Sequence, residues 1–148
     1  MGSDGTQFGS LEPLQGRRVL IADDDEAMRG WLRVVLEDSG ALVEEADSGA
    51  ALLAWLTSGS FDLGVSDVRM SWTTGPQVLA MARAAGYRMP FLLVTAFGTD
   101  RLRAEVRGPG AALMEKPLEA ERLVSLAVRL IAEGPVPRHL ARAGSAPP

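Results

Sequence analysis

Four apolar runs in this 148-residue chain each open into a chemically capable group. "RVLIA" leads into "DDDE", "FDLGV" into "SDVRM", "PFLLV" into "TAFG" and "AALM" into "EKP", supplying Asp23, Asp24, Asp67, Thr95 and Lys116. Lys116 is the only lysine among 15 basic residues; the rest are arginine. There is no cysteine, and the one histidine, His139, lies in a stretch rich in proline, alanine and arginine. Disulfides, thiolate metal sites and thiol catalysis are therefore excluded, and histidine-based catalysis is not expected. Chemistry must rest on carboxylates, hydroxyls, arginine and one ammonium. A compact ammonium on a flexible stem suits a small anionic site among carboxylates, where a broad planar guanidinium fits less well.

Taken singly, each residue has a structural explanation. Acidic residues that open a helix are favoured by capping and by the macrodipole, which fits Asp25 and Glu26 best. Asp67 could form a turn, Thr95 could end a β-branched strand, and Lys116 could be a solvated charge. What argues for chemistry is that all of them fall at the same end of successive runs.

For these side chains to meet, the runs must be neighbouring strands that point the same way. Five runs read as strands: residues 18–22, 41–45, 61–65, 90–94 and 111–114. After Arg18, the first is continuously apolar, as is the fourth, as in strands covered on both faces. Helical patterns separate them. Met28, Trp31, Leu32, Val35 and Leu36 share one face of a first helix that Gly40 closes. "GAALLAWL" gives a second, and Pro76 starts a third that runs through "QVLAMARAAG". "TDRLRAEVR" gives a short fourth ended by "GPG" at 108–110, and a last helix runs from Leu118 to about Ala132. The order is β-α five times. Right-handed crossovers then give an α/β parallel sheet with helices on both faces, whose working site lies beyond the carboxyl ends of its strands.

The length suits one domain, and 47% hydrophobic residues suffice for its core. Residues 1–16 read as a flexible arm, 17–133 as the domain and 134–148, with four prolines, as a tail or linker. No 18-residue apolar stretch is present, so no membrane association is expected, and the N-terminus lacks a signal-peptide pattern. A net charge of −4 with scattered arginines argues against direct nucleic-acid binding.

The pieces "VLIADDDEAMR", "FDLGVSDVRM" followed by Gly75, "PFLLVTAFG" and "MEKP", in this order, resemble the receiver domain of bacterial two-component response regulators over residues 17–133. The wording is closest to the nitrogen-regulatory branch. The resemblance implies a flavodoxin-like fold with strand order 2-1-3-4-5. It implies a cytoplasmic protein phosphorylated on Asp67 by a sensor histidine kinase, with an unidentified downstream partner or output domain. Asp23 and Asp24 would hold Mg²⁺, with Mn²⁺ able to substitute, together with an Asp67 oxygen and the main-chain carbonyl of Arg69. Thr95 and Lys116 would contact the phosphoryl group. The arginine side chain and Phe97 would flank the mouth of the site and slow hydrolysis. Crowded aspartates and a hard dication agree with these roles.

Three departures from the family pattern bear on switching. Leu113 stands where an aromatic residue is expected, Ser71 where proline is usual, and the spacing from Thr95 to Lys116 is one residue short. Two other readings compete. A receiver that acts without phosphate would need none of this chemistry. A haloacid-dehalogenase-type phosphatase would use Asp23 and Asp25 as its Asp-x-Asp pair, but leaves Asp67 without a role.

Overall fold

The computed structural model describes residues 12–70, 73–106, 108 and 110–143. Its sheet has five parallel strands, β1 (Arg18–Ala22), β2 (Leu42–Ala46), β3 (Leu63–Asp67), β6 (Phe91–Thr95) and β7 (Ala111–Glu115). They lie in the order β2-β1-β3-β6-β7, which is 2-1-3-4-5 when the two strands of a short antiparallel pair are set aside. That pair, β4 (Arg69–Met70) and β5 (Thr73–Thr74), follows β3 directly. Ser71 and Trp72 lie outside the described residues.

The helices are α1 (Glu26–Asp38), α2 (Gly49–Ser58), α3 (Gly75–Ala84), α4 (Asp100–Glu105), α5 (Ala120–Glu133) and α6 (Arg138–Ala143). Alternate residues of β1 face opposite ways. Val19 and Ile21 pack with Leu32 and Leu36 of α1 and with Leu123 and Ala127 of α5. Leu20 and Ala22 pack with Leu52 and Leu56 of α2 and with Val78 and Ala82 of α3. Val68 and Leu93 meet Leu102 of α4 and Val106, with Leu113 packed against them. Both faces are thus covered, which explains the continuous apolar runs. Full burial of one such leucine favours folding by about 1.5–3 kcal/mol.

Local chemistry sets the helix ends. Asp25 caps α1 by accepting the Ala27 N–H at 3.0 Å, and Gly40 follows that helix at φ 96°, a left-handed turn that a β-carbon disfavours. Thr74 and Gln77 form a reciprocal capping box at α3, with Pro76 in the first turn. The guanidinium of Arg83, near the end of α3, donates to the Tyr87 and Gly110 carbonyls and lies over the Phe91 ring. Burial brings its pKa down to about 10, so it stays charged at neutral pH.

At its edges the structure adds to the sequence reading. In residues 12–16, placed by composition in a loose arm, Leu14 is 1% exposed and donates its N–H to the Ser39 carbonyl at 2.8 Å. An apolar side chain that fits the α1–β2 corner overrides a polar neighbourhood. On the other side Val136 is 3% exposed, exchanges hydrogen bonds with Arg88, and leads into α6, which lies against α3. No described helix is long and apolar enough to cross a membrane.

Candidate functional site

Each site residue sits where a strand of the sheet ends. Asp23 follows β1, Asp67 is the last residue of β3, Thr95 is the last of β6 and Lys116 follows β7. The register places these ends together: Ala22 pairs with Ser66, Asp67 with Val94, and Thr95 with Glu115. Parallel pairing therefore gathers residues up to about a hundred positions apart along one edge of the sheet.

Carboxylate oxygens of Asp23, Asp24 and Asp67 lie within 4.8 Å of one another. The Lys116 ammonium stands 3.8 Å from Asp67 Oδ1. Asp23 is buried, with one oxygen accepting the Asp25 N–H at 2.9 Å, while Arg29 of α1 donates to its carbonyl at 2.8 Å. Arg29 also pairs with Glu45 of β2, which takes a second ion pair from Arg33. This fixes α1 over β2 and aims the β1–α1 turn at the site. Gly75 lets α3 start close beneath Asp67, because a β-carbon there would stand 2.8 Å from the Asp67 carbonyl oxygen.

Burial and crowding raise the cost of negative charge. The Asp23 carboxyl is pushed up to about 6, mainly by burial, then by the charges of Asp67 and Asp24; the Asp25 amide and Lys116 pull the other way. Asp67 is also raised, again mainly by burial, and is partly relieved by Lys116 and by the amides of Arg69 and Val68. Close carboxylates held in this way, with oxygen donors only, fit a hard divalent cation such as Mg²⁺.

Thr95 is buried, and its hydroxyl is engaged by Phe97: it accepts the Phe97 N–H at 3.1 Å and donates to the Phe97 carbonyl at 3.2 Å. Phe97 is 77% exposed and, with Thr95, Arg69, Arg101 and Thr74, lines a groove beside the Thr95 end of the site. The Arg69 amide is directed at the Asp67 carboxylate. Leu113 does not reach this edge; it packs under α4. Asp25, the second aspartate of the phosphatase-type pair, turns to the α1 cap. Sequence reasoning missed Arg29, Gly98, Arg103 and Glu115, whose roles depend on partners distant in the chain.

The comparisons with known proteins agree with this geometry. The family model described as the response regulator receiver domain matches residues 19–128. The chain is 36% identical over 113 residues to the response regulator protein FleR of Pseudomonas aeruginosa, covering 76% of this chain and 24% of that protein. It is 36% identical over 109 residues to the transcriptional regulatory protein FixJ of Bradyrhizobium diazoefficiens, covering 73% of this chain and 53% of that one. The chain thus spans a quarter to a half of the length of these relatives. Among solved structures, a CheY-like receiver domain protein of Methanospirillum hungatei superimposes with a TM-score of 0.75 at 26% identity, covering 80% of this chain and 96% of that one. The chemotaxis regulator CheY4 of Vibrio cholerae gives 0.70 at 28% identity, covering 78% and 99%. With its sheet order, its carboxylate edge and its relatives in agreement, this chain belongs to the response regulator receiver domain family.

Proposed function

We propose that the chain is a working phosphoacceptor, phosphorylated on Asp67 by a sensor histidine kinase in a Mg²⁺-dependent reaction. The observation that carries this reading is the Asp67 carboxylate between the Lys116 ammonium and the Asp23–Asp24 pair. A carboxylate oxygen of Asp67 attacks phosphorus in a phosphohistidine donor. The phosphorus–nitrogen bond breaks, the imidazole leaves and takes up a proton, and an acyl phosphate forms. Phosphoryl transfer asks mainly for positioning and charge neutralisation. Lys116 supplies a fixed positive charge beside the acceptor. The Val68 and Arg69 amides orient the carboxylate. Asp23, Asp24, Asp67 and the carbonyl of Arg69 would hold Mg²⁺ or Mn²⁺, which supplies the remaining neutralisation. Thr95 would turn from Phe97 to the phosphoryl oxygens, changing the surface offered to a downstream partner or output domain. A histidine kinase as donor places the chain in the cytoplasm.

The test uses acetyl phosphate with Mg²⁺ and intact-mass detection of the acyl phosphate. Wild type takes one phosphoryl group, and EDTA prevents it. Asp67→Asn folds and takes none. Labelling of that variant at the wild-type rate would show that Asp67 is not the acceptor.

A further inference from the structure

The connection from β6 to α4 is held at two points. The first is the Thr95 hydroxyl, bonded to both backbone groups of Phe97. The second lies on the neighbouring strand. Glu115, the register partner of Thr95, reaches across to the connection. Its Oε2 accepts the Gly98 N–H at 3.2 Å, and its Oε1 accepts from Arg103 of α4 at 3.1 Å. Arg103 also bonds Asp100 in the first turn of α4 at 3.2 Å. Gly98 is what admits the carboxylate: a β-carbon there would stand 2.6 Å from the Glu115 carboxyl carbon and under 3 Å from both its oxygens. One carboxylate thus ties β7 to the connection and, through Arg103, to α4. Thr99 then caps α4 by accepting the Leu102 N–H at 3.0 Å.

We infer that Glu115 and Gly98 form a clasp that sets the resting position of the β6–α4 connection and opposes the movement of Thr95 toward a phosphoryl group on Asp67. The inference rests on the proposed role of Asp67. Only Ala96 and Phe97 lie between Thr95 and the clasped Gly98. If the Thr95 hydroxyl leaves Phe97, two backbone groups lose their partner and these two residues must rearrange. With Gly98 fixed, that rearrangement has little slack. Releasing the clasp frees the connection and α4 together. Leu113 lies beneath α4, packed against the cluster that holds Leu102 and Val106, so movement there would follow from a clasp and not from an aromatic rotamer. Glu115 and Arg103 are half-exposed, and exposed pairs of this kind shift an equilibrium by a few-fold and not by orders of magnitude. That range suits a poised equilibrium more than a locked one.

Beryllofluoride with Mg²⁺, a stable mimic of a bound phosphoryl group, provides the test, with Kd measured by calorimetry. Gly98→Ala breaks the clasp without changing charge, Glu115→Ala breaks it with loss of charge, and Glu115→Gln removes the charge while keeping an acceptor for the Gly98 N–H. The clasp requires Gly98→Ala and Glu115→Ala each to bind about threefold tighter than wild type, Glu115→Gln to change less, and the double Gly98→Ala/Glu115→Ala variant to add nothing further. Equal tightening in both Glu115 variants with Gly98→Ala unchanged would mean simple removal of a negative charge near the anion, and would overturn the clasp. Unchanged or weaker binding in Gly98→Ala and Glu115→Ala would also overturn it. Melting temperatures of the variants identify any that fail to fold. A wild-type protein that does not bind beryllofluoride at all would overturn the phosphoacceptor reading itself, and this inference with it.

Discussion

At neutral pH the buried carboxyl of Asp23 opposes folding unless a cation or a proton meets it. Its pKa is raised to about 6 in the folded chain, from an ordinary value near 3.8. The native state therefore holds this proton more tightly than the unfolded state, and stability falls as pH rises between about 4 and 6. Asp67, also raised, acts in the same direction. In EDTA, the urea midpoint of the wild type should be higher at pH 5 than at pH 7. Asp23→Asn should narrow that difference and stabilise the metal-free protein at pH 7 by about 1–2 kcal/mol. Mg²⁺ at pH 7 should raise the wild-type midpoint and leave the variant nearly unchanged. A variant less stable than wild type in EDTA would contradict this account. On the proposed phosphoacceptor reading, two further residues would set the lifetime of the acyl phosphate. The water that would hydrolyse it must approach along the phosphorus–oxygen bond, and Arg69 and Phe97, which line a groove with Thr95, would obstruct that approach. Arg69→Ala and Phe97→Ala should each speed loss of phosphate more than about twofold, roughly 0.4 kcal/mol of barrier, in a decay measured after donor removal.

The elements that carry these residues depend on short-range chemistry, some of it plain in the sequence. Thr74 with Gln77 and Pro76 start α3, whose first residue, Gly75, lies against the end of β3 at Asp67. Thr74→Ala should cost about 1 kcal/mol in urea unfolding while Gln77 keeps half of the box. A loss below about 0.3 kcal/mol would mean that Pro76 alone positions this helix start. Strand existence was legible because both faces of the sheet are covered, making 19–22 and 90–94 continuously apolar. Strand limits were less so. The third strand was expected at 61–65 and runs Leu63–Asp67. Phe61 looked like strand, but its ring packs edge-on to Trp55 and beneath Arg18 before the strand starts. Ser66 and Asp67 looked like loop because they are polar, yet they keep strand pairing up to the carboxylate edge. The two-residue strands β4 and β5 are too short for any periodic signal.

At the scale of the molecule, the gathering of the five candidate residues at one edge was legible because polar groups at the ends of apolar runs must meet once a parallel sheet is assumed. The Glu115 contacts were not, since they link residues 12 and 17 positions apart and no pattern joins them. The docked edges were hidden as well: Leu14 and Val136 sit in polar or proline-rich surroundings, and only tertiary fit reveals them. Leu14→Ala should cost about 2–4 kcal/mol, as for other buried leucines, and Val136→Ala less, by urea denaturation. Cost-free substitution of both would mean that these segments merely rest on the domain. Their position has a practical consequence. Leu14 meets the chain near the start of β1 and β2, and Val136 near the start of β6 and β7. Both anchors are therefore at the amino edge of the sheet, about 16 Å of strand away from the carboxylates. A protein tethered to a sensor chip through chain beyond either anchor presents its carboxylate edge to the liquid, so, on the proposed reading, phosphodonor kinetics recorded on the chip should match those in free solution.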